Sequence, residues 1–360
     1  MNLGAFRDAA RRAAITGALK AALRGAEAER PIFVGASPRS GTTLLRTMLD
    51  SHPELAIPRE SRFLREAFRQ RAEFGDLTSP ANRDALITWI LDGRGVNESK
   101  FGSTKAELAE RMREAPGGTL GSIVGTPFAT YAENQSKPRW GDKRPAYIRG
   151  TGAIFSMFPD AKFVHLVRDP RGSVASMLRV GWFDGSVARG LELWTRSIDA
   201  AAQARTTYRS DQFYELKYEE LLADPASEIT RLAGWLDLDP AGIDEMLAYH
   251  VDNDVPASKY HWKVSQPIDR ANSATWREAL GTEDLALIDA VAGPHLDAFG
   301  YPRADLGPAP EDRVAEYQHW VEAKRPGADS SRQLLDPSLM SRITAAQQRF
   351  AKLVERLPGR

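Results

Sequence analysis

The chain contains no cysteine in 360 residues, which excludes disulfides, thiolate zinc sites and a cysteine nucleophile, and fits a reducing compartment such as the cytoplasm. Net charge is also missing, because 48 Lys and Arg are cancelled by 48 Asp and Glu. A global field of the kind that gathers nucleic acid is therefore not expected, and any anion site must come from local arrangement. No stretch approaches about eighteen uninterrupted apolar residues, so no segment is expected to span a bilayer. The opening MNLGAFRDAARRAAITGALKAALRG is basic and amphipathic but has neither the apolar run nor the cleavage site of a signal peptide. Residues 1–30 read as an amphipathic helix, with docking at a membrane surface or on a partner as the alternative use.

What is present is a hydrophobic fraction of 42%, enough to bury a large core in one α/β domain with helical additions. PIFVGA (31–36) reads as a strand, the turn residues from Ser37 to Gly41 break it, and Leu44, Leu45, Met48 and Leu49 then recur at helical spacing. Further strands are expected at AKFVHLV (161–167) and QFYELKY (212–218), with helices near 145–157, 186–208, 225–237 and 240–250. Strands alternating with helices predict a P-loop-type parallel sheet flanked by helices, with ligand at the carboxyl ends of the strands. Residues 63–136 read as a helical insert on the acceptor side, and 302–360 as a C-terminal helical tail that packs on the domain or forms a homodimer. The domain proper is 31–301.

The turn after the first strand is short of one residue type that matters. In a nucleoside-triphosphate loop, G-x-x-x-x-G-K-[ST], the lysine reaches the β/γ-phosphates. Here the run is Ala36-Ser37-Pro38-Arg39-Ser40-Gly41-Thr42-Thr43, with Thr42 in the lysine's place. Such a loop makes a poor kinase or ATPase site but keeps the amide nest and helix amino terminus that suit a single 5′-phosphate region. Arg39, Ser40, Gly41, Thr42 and Thr43 are the candidate contacts.

The segment FVGASPRSGTTLLRTMLDSHPELAIPRESRF resembles the sulfotransferases that use 3′-phosphoadenosine-5′-phosphosulfate (PAPS), in particular the tyrosylprotein sulfotransferase-like branch and its bacterial relatives. A second stretch, AKFVHLVRDPRGSVASML, is similar to the family pattern V-R-D-x-R-x-x-V-x-S, and the resemblance assigns Arg168 and Ser176 to the 3′-phosphate. Arginine, which grips phosphate bidentately, and a serine hydroxyl are chemically suited to that task. The resemblance further implies that Tyr218 lies near the 3′-phosphate or adenine. The looser late segment YHWKVSQPIDRANSATWREAL offers Lys263 and Arg270 as phosphate cations and Trp276 as an adenine or core contact.

For the chemistry, the spacing from Arg39 to Glu60 equals that between loop arginine and catalytic glutamate in the tyrosylprotein branch, which implies Glu60 as base and Arg62, with Phe63 beside it, on the acceptor side. His165 is the reserve base, since the small-molecule branch generally uses a histidine. Lys143, in RWGDKRP, resembles the family lysine that contacts the transferring group, with Arg144 as its substitute. The expected reaction is transfer of the sulfuryl group of PAPS to a hydroxyl or amine, leaving 3′-phosphoadenosine-5′-phosphate (PAP), with no metal. The expected acceptor is a small molecule, glycan or lipid rather than a protein, and no nucleic acid is involved. A P-loop small-molecule kinase and a non-catalytic nucleotide-binding scaffold are the rival readings.

Overall fold

Each strand that the hydrophobic pattern predicts is a short run of β-branched, aromatic and leucine side chains bounded by turn residues, and each forms. In the computed structural model, which describes residues 30–93, 96, 98–251 and 262–323, five strands build one sheet. They are β1 (Ile32–Ala36), β2 (Leu55–Ala56), β3 (Arg139–Lys143), β4 (Lys162–Val167) and β5 (Phe213–Lys217). The order is β2-β3-β1-β4-β5, and every pairing is parallel. The chain thus leaves β1 toward one edge and later crosses to the other. Such a reversal opens a crevice at the carboxyl end of the strand where it occurs, here β1.

The main helices are α1 (Thr42–Asp50), α2 (Pro80–Leu91), α3 (Lys105–Arg113), α4 (Leu120–Asn134), α5 (Pro170–Leu178), α6 (Val187–Thr207), α7 (Pro225–Leu236), α8 (Thr282–Phe299) and α9 (Glu311–Ala323). Their starts follow local chemistry. Thr104 and Glu107 form a reciprocal capping box at α3, satisfying two amides that the helix itself leaves unpaired. Asp169 caps α5 through the amide of Arg171, and Pro170 occupies its first turn.

Side chains alternate across the sheet, so each face buries its own layer. On one face Phe33, Trp140 and Phe163 pack against Phe63, Ile123 and Phe128 of the insert. Trp140 stacks on Phe128 with ring centroids 5.2 Å apart. On the other face Ile32, Val34, Val164 and Leu166 pack against Leu45, Met48 and Leu49 of α1 and Ile229 and Leu232 of α7. A third cluster joins α5, α6 and α8, and α9 rests on it through Val314, Tyr317 and Trp320. The part of the tail that is described therefore packs on the domain, while 1–29 and 324–360 lie outside the described residues. No helix among the described residues is long and apolar enough to cross a membrane.

Two strands escape the sequence pattern. β2 is two residues long, and β3, RWGDK, has Trp140 as its only strong strand former. Parallel pairing to β1 holds β3 in place, with Phe33 beside Asp142 and Val34 beside Lys143. Tyr218, expected at a strand end, instead opens the helix Tyr218–Ala223.

Phe63 shows what the insert does for stability. Its ring is fully buried and stacks on Phe128 at 5.4 Å. Replacing it with alanine is expected to cost about 3–5 kcal/mol, measured by chemical denaturation, and a change below ~1 kcal/mol would contradict its place in the core.

Candidate active site

The loop between β1 and α1 is shaped by two left-handed residues, Arg39 (φ 63°) and Gly41 (φ 93°). Arginine rarely adopts that conformation, and strain of this kind survives only where surrounding structure enforces it. Gly41 is required twice over, since its φ suits glycine and a Cβ there would stand 2.5 Å from the Tyr218 ring. The amide-bearing turn is thereby pressed under an aromatic side chain from the end of β5.

Beside this loop lies Arg168, at the end of β4, only 7% exposed. Its Nη1 donates to the Arg39 carbonyl at 2.9 Å and its Nη2 to the Asn272 carbonyl at 3.2 Å. Its guanidinium lies 4.5 Å from the centroid of Tyr218. The adjacent carboxylate, Asp169, is taken by Arg171, which bonds it through Nε and Nη2. Among the described residues Arg168 thus has carbonyl oxygens and a ring as partners but no carboxylate, and its Nε has no hydrogen-bond partner. Gly172 makes room for it, because a Cβ there would come within 2.8 Å of that Nε. A buried cation without a counter-ion is costly, and an anion is what relieves it. Burial and the neighbouring Arg168 hold the Arg39 guanidinium below its ordinary value, and Arg39 Nε donates to Ser176 Oγ at 3.2 Å.

Arg39 and Arg168 open into one cleft of about 960 Å³. Gly41, Thr42, Thr43, Ser176 and Tyr218 line the same end. Toward the middle stand Glu60 and Lys143. Glu60 Oε2 accepts from Lys143 Nζ at 3.2 Å, and Lys143 Nζ also reaches Thr43 Oγ1 at 3.5 Å, so the lysine spans from the carboxylate to the start of α1. Arg144 Nε lies 3.8 Å from Glu60 Oε1. The Glu60 carbonyl accepts from Lys100 of the insert, whose ammonium is brought down to about 8 chiefly by burial. Arg62, Arg144, Arg149, Arg179 and the exposed Trp182 also line the cleft, with Arg179 Nη2 donating to the Thr275 carbonyl. Burial, with Arg196 and Arg65 nearby, brings Arg149 down to about 10.

Ser176, in the same lining as Arg168, bonds Arg39. Several other residues singled out in the sequence fall elsewhere. Ser40 is buried with its hydroxyl 3.3 Å from that of Ser173, behind the cleft wall. Phe63 belongs to the core, and so do Phe74, Phe128 and Tyr131 of the insert. Arg270 is exposed and not part of the lining, to which its neighbours Asp269 and Asn272 contribute. Trp276 packs in the third core cluster under the guanidinium of Arg171. The Lys263 side chain lies outside the described residues. His165 is fully buried on β4, off the cleft, with Nδ1 3.0 Å from Glu215 Oε2. Arg149, Arg179, Asn272 and Tyr249 also line the cleft without being singled out by the sequence reading; Arg149 and Tyr249 come from segments with no motif, while Arg179 and Asn272 lie just after and within segments read for other residues. No group of three or more His, Asp or Glu side chains that could hold a metal occurs among the described residues.

The site suits an adenosine nucleotide with phosphate at both ends. It offers a helix amino terminus with Arg39 at one position, the guanidinium of Arg168, with no carboxylate partner among the described residues, at another, and an aromatic ring between them.

Comparison with known proteins agrees with this reading. The chain is 25% identical over 279 residues to the protein-tyrosine sulfotransferase of Drosophila melanogaster, covering 75% of this chain and 51% of that protein, so it spans about half the length of that relative. It is 30% identical over 283 residues to protein-tyrosine sulfotransferase 1 of Danio rerio, covering 75% of this chain and 72% of the relative. In fold it resembles the sulfotransferase domain of the Synechococcus PCC 7002 olefin synthase, with TM-score 0.51 and 21% identity over 84% of this chain and 99% of that domain. Residues 31–241, which carry the β1 loop, Glu60, Lys143 and Arg168, match the model described as "Sulfotransferase family" over more than half of the sequence, and the chain therefore belongs to that family of PAPS-dependent enzymes.

Proposed function

We propose that the cleft transfers the sulfuryl group of PAPS to an acceptor hydroxyl, with Glu60 as base and Lys143 as the charge stabiliser. The observation that carries this reading is the Glu60–Lys143 pair at 3.2 Å, standing between the arginine-walled nucleotide end and the open acceptor end of one cleft. PAPS supplies an activated sulfur whose bond to the bridging phosphate oxygen is the one that breaks. Glu60 takes the proton of the acceptor hydroxyl as its oxygen bonds sulfur. Lys143 places positive charge where the departing oxygen gains its electron pair, and its reach to Thr43 keeps it beside the phosphate loop. A carboxylate is a weak base toward an alcohol, so proton removal must run with the transfer and not ahead of it.

At the nucleotide end Arg168 and Arg39 serve the phosphates, with Ser176 held on Arg39. At the other end Arg62, Arg144, Arg149 and Trp182 meet the acceptor. The names of the Drosophila and zebrafish relatives specify protein tyrosine. Small phenols and sugar alcohols present the same attacking oxygen, so a tyrosine peptide and a pool of hydroxylated metabolites are the two arms of an acceptor screen with labelled PAPS.

Calorimetry is expected to find PAP bound at least ~10-fold more tightly than AMP, a charged hydrogen-bonded contact being worth about 1.5–3 kcal/mol. Arg168→Ala should erase that preference. Equal affinities in the unaltered protein would remove the 3′-phosphate assignment.

Glu60→Gln should bind PAP normally and lose transfer by roughly 10²–10⁴-fold, read as label moved from PAPS to acceptor. Undiminished transfer would return the base to another group.

A further inference from the structure

Glu60 lies in a stretch with no regular secondary structure, between β2 and the helix that begins at Phe63. No helix or strand of its own fixes its carboxylate. Its neighbour supplies what is missing. Ser61 is fully buried, and its Oγ donates to Asp142 Oδ2 at 2.6 Å. Asp142 and Lys143 are consecutive on β3, so they point to opposite faces of the sheet. Lys143 takes the Glu60 carboxylate on one face and Asp142 takes the Ser61 hydroxyl on the other. Two adjacent residues of a strand thereby clip two adjacent residues of an irregular segment. This fixes both where that segment lies and how it is rotated about its own axis.

Asp142 is itself anchored. It is fully buried beside Phe33, and Tyr147 donates its hydroxyl to the same Oδ2, while Oδ1 has no hydrogen-bond partner among the described residues. Burial raises the Asp142 carboxyl above its ordinary range, against the two hydroxyl donors that lower it. Burial and the adjacent Asp142 push the Tyr147 phenol well up, so Tyr147 remains a donor. A buried carboxylate with one oxygen unsatisfied is expensive where only packing is at stake. Its retention directly behind the reacting pair is accounted for by the geometry it imposes.

We propose that Asp142, with Ser61 and Tyr147, is a positioning unit that sets the Glu60 carboxylate against Lys143 and the acceptor oxygen. The unit touches neither nucleotide nor acceptor and acts only through Glu60, so the inference rests on the reading of Glu60 as base. Lys100 holds the Glu60 carbonyl from the insert side. Loss of Ser61 therefore frees one side of the clip and not both.

The test is Ser61→Ala, crystallised with PAP and assayed with labelled PAPS and pooled phenols and sugar alcohols. The expected result is a Glu60 carboxylate displaced by ~1 Å from its place beside Lys143 and a turnover number about tenfold lower. PAP affinity and KM for PAPS should be unchanged. Added to Glu60→Gln, Ser61→Ala should lower turnover no further, since residues acting through one group are not additive. Asp142→Asn, which keeps an acceptor oxygen for both hydroxyls, should fold and retain most of the turnover. An unmoved Glu60 and normal turnover in Ser61→Ala, with Glu60→Gln inactive, overturns the clip and leaves the base assignment standing. Normal turnover in Glu60→Gln removes the base assignment and the clip with it.

Discussion

A buried guanidinium that has no carboxylate partner among the described residues is the constraint around which this site is arranged. Removing a charge from water costs several kcal/mol unless something compensates, and Arg168 has two carbonyl oxygens and the face of Tyr218 to do it. Much of the local sequence accommodates that side chain. Gly172 leaves it space, Asp169 is occupied by Arg171, and Gly41 lets Tyr218 close over both the cation and the loop. The arrangement is stable but short of negative charge, which is the property expected of a receptor for phosphate.

The sheet turns that receptor into a reaction site. β1 lies between β3 and β4, so the loop after β1, Lys143 at the end of β3 and Arg168 just past β4 converge at the same crevice. Arg39 and Arg168 are 129 residues apart in the sequence, yet parallel pairing brings the carboxyl ends of neighbouring strands to about 4.8 Å of one another. The helical insert contributes chiefly as a core layer. Its aromatic rings cover one face of the sheet, and Lys100 reaches from it to the main chain of Glu60.

The two cleft-lining stretches PRSGTTLLR and VRDPRGSVAS are legible because each is continuous and carries its own local signal. The first reads as strand, turn and helix, and the second as strand end, proline and helix. Glu60 and Lys143 were legible only through their spacing and resemblance to a family, since neither stands in a strong hydrophobic pattern. Phe63, Arg270 and Ser40 show the limit of that reasoning. Each sits next to a lining residue in the sequence, yet adjacent side chains in an extended or turning segment point in different directions. The lining residues Arg149, Arg179 and Trp182 were not legible at all, as they come from two segments that meet only in the folded chain.

The sequence by itself determined the class of fold, the position of the loop between β1 and α1 and the residue types available for an anion, because hydrophobic period, turn residues and short motifs act over a few neighbours. Only the tertiary structure decided that Ser176 bonds Arg39, that Arg168 rests on carbonyl oxygens and the Tyr218 ring, and that Asp142 and Lys143 hold Ser61 and Glu60 from opposite faces of one strand. Those relations depend on which strands pair and in what register, and pairing partners far apart in the chain leave no trace in the local pattern.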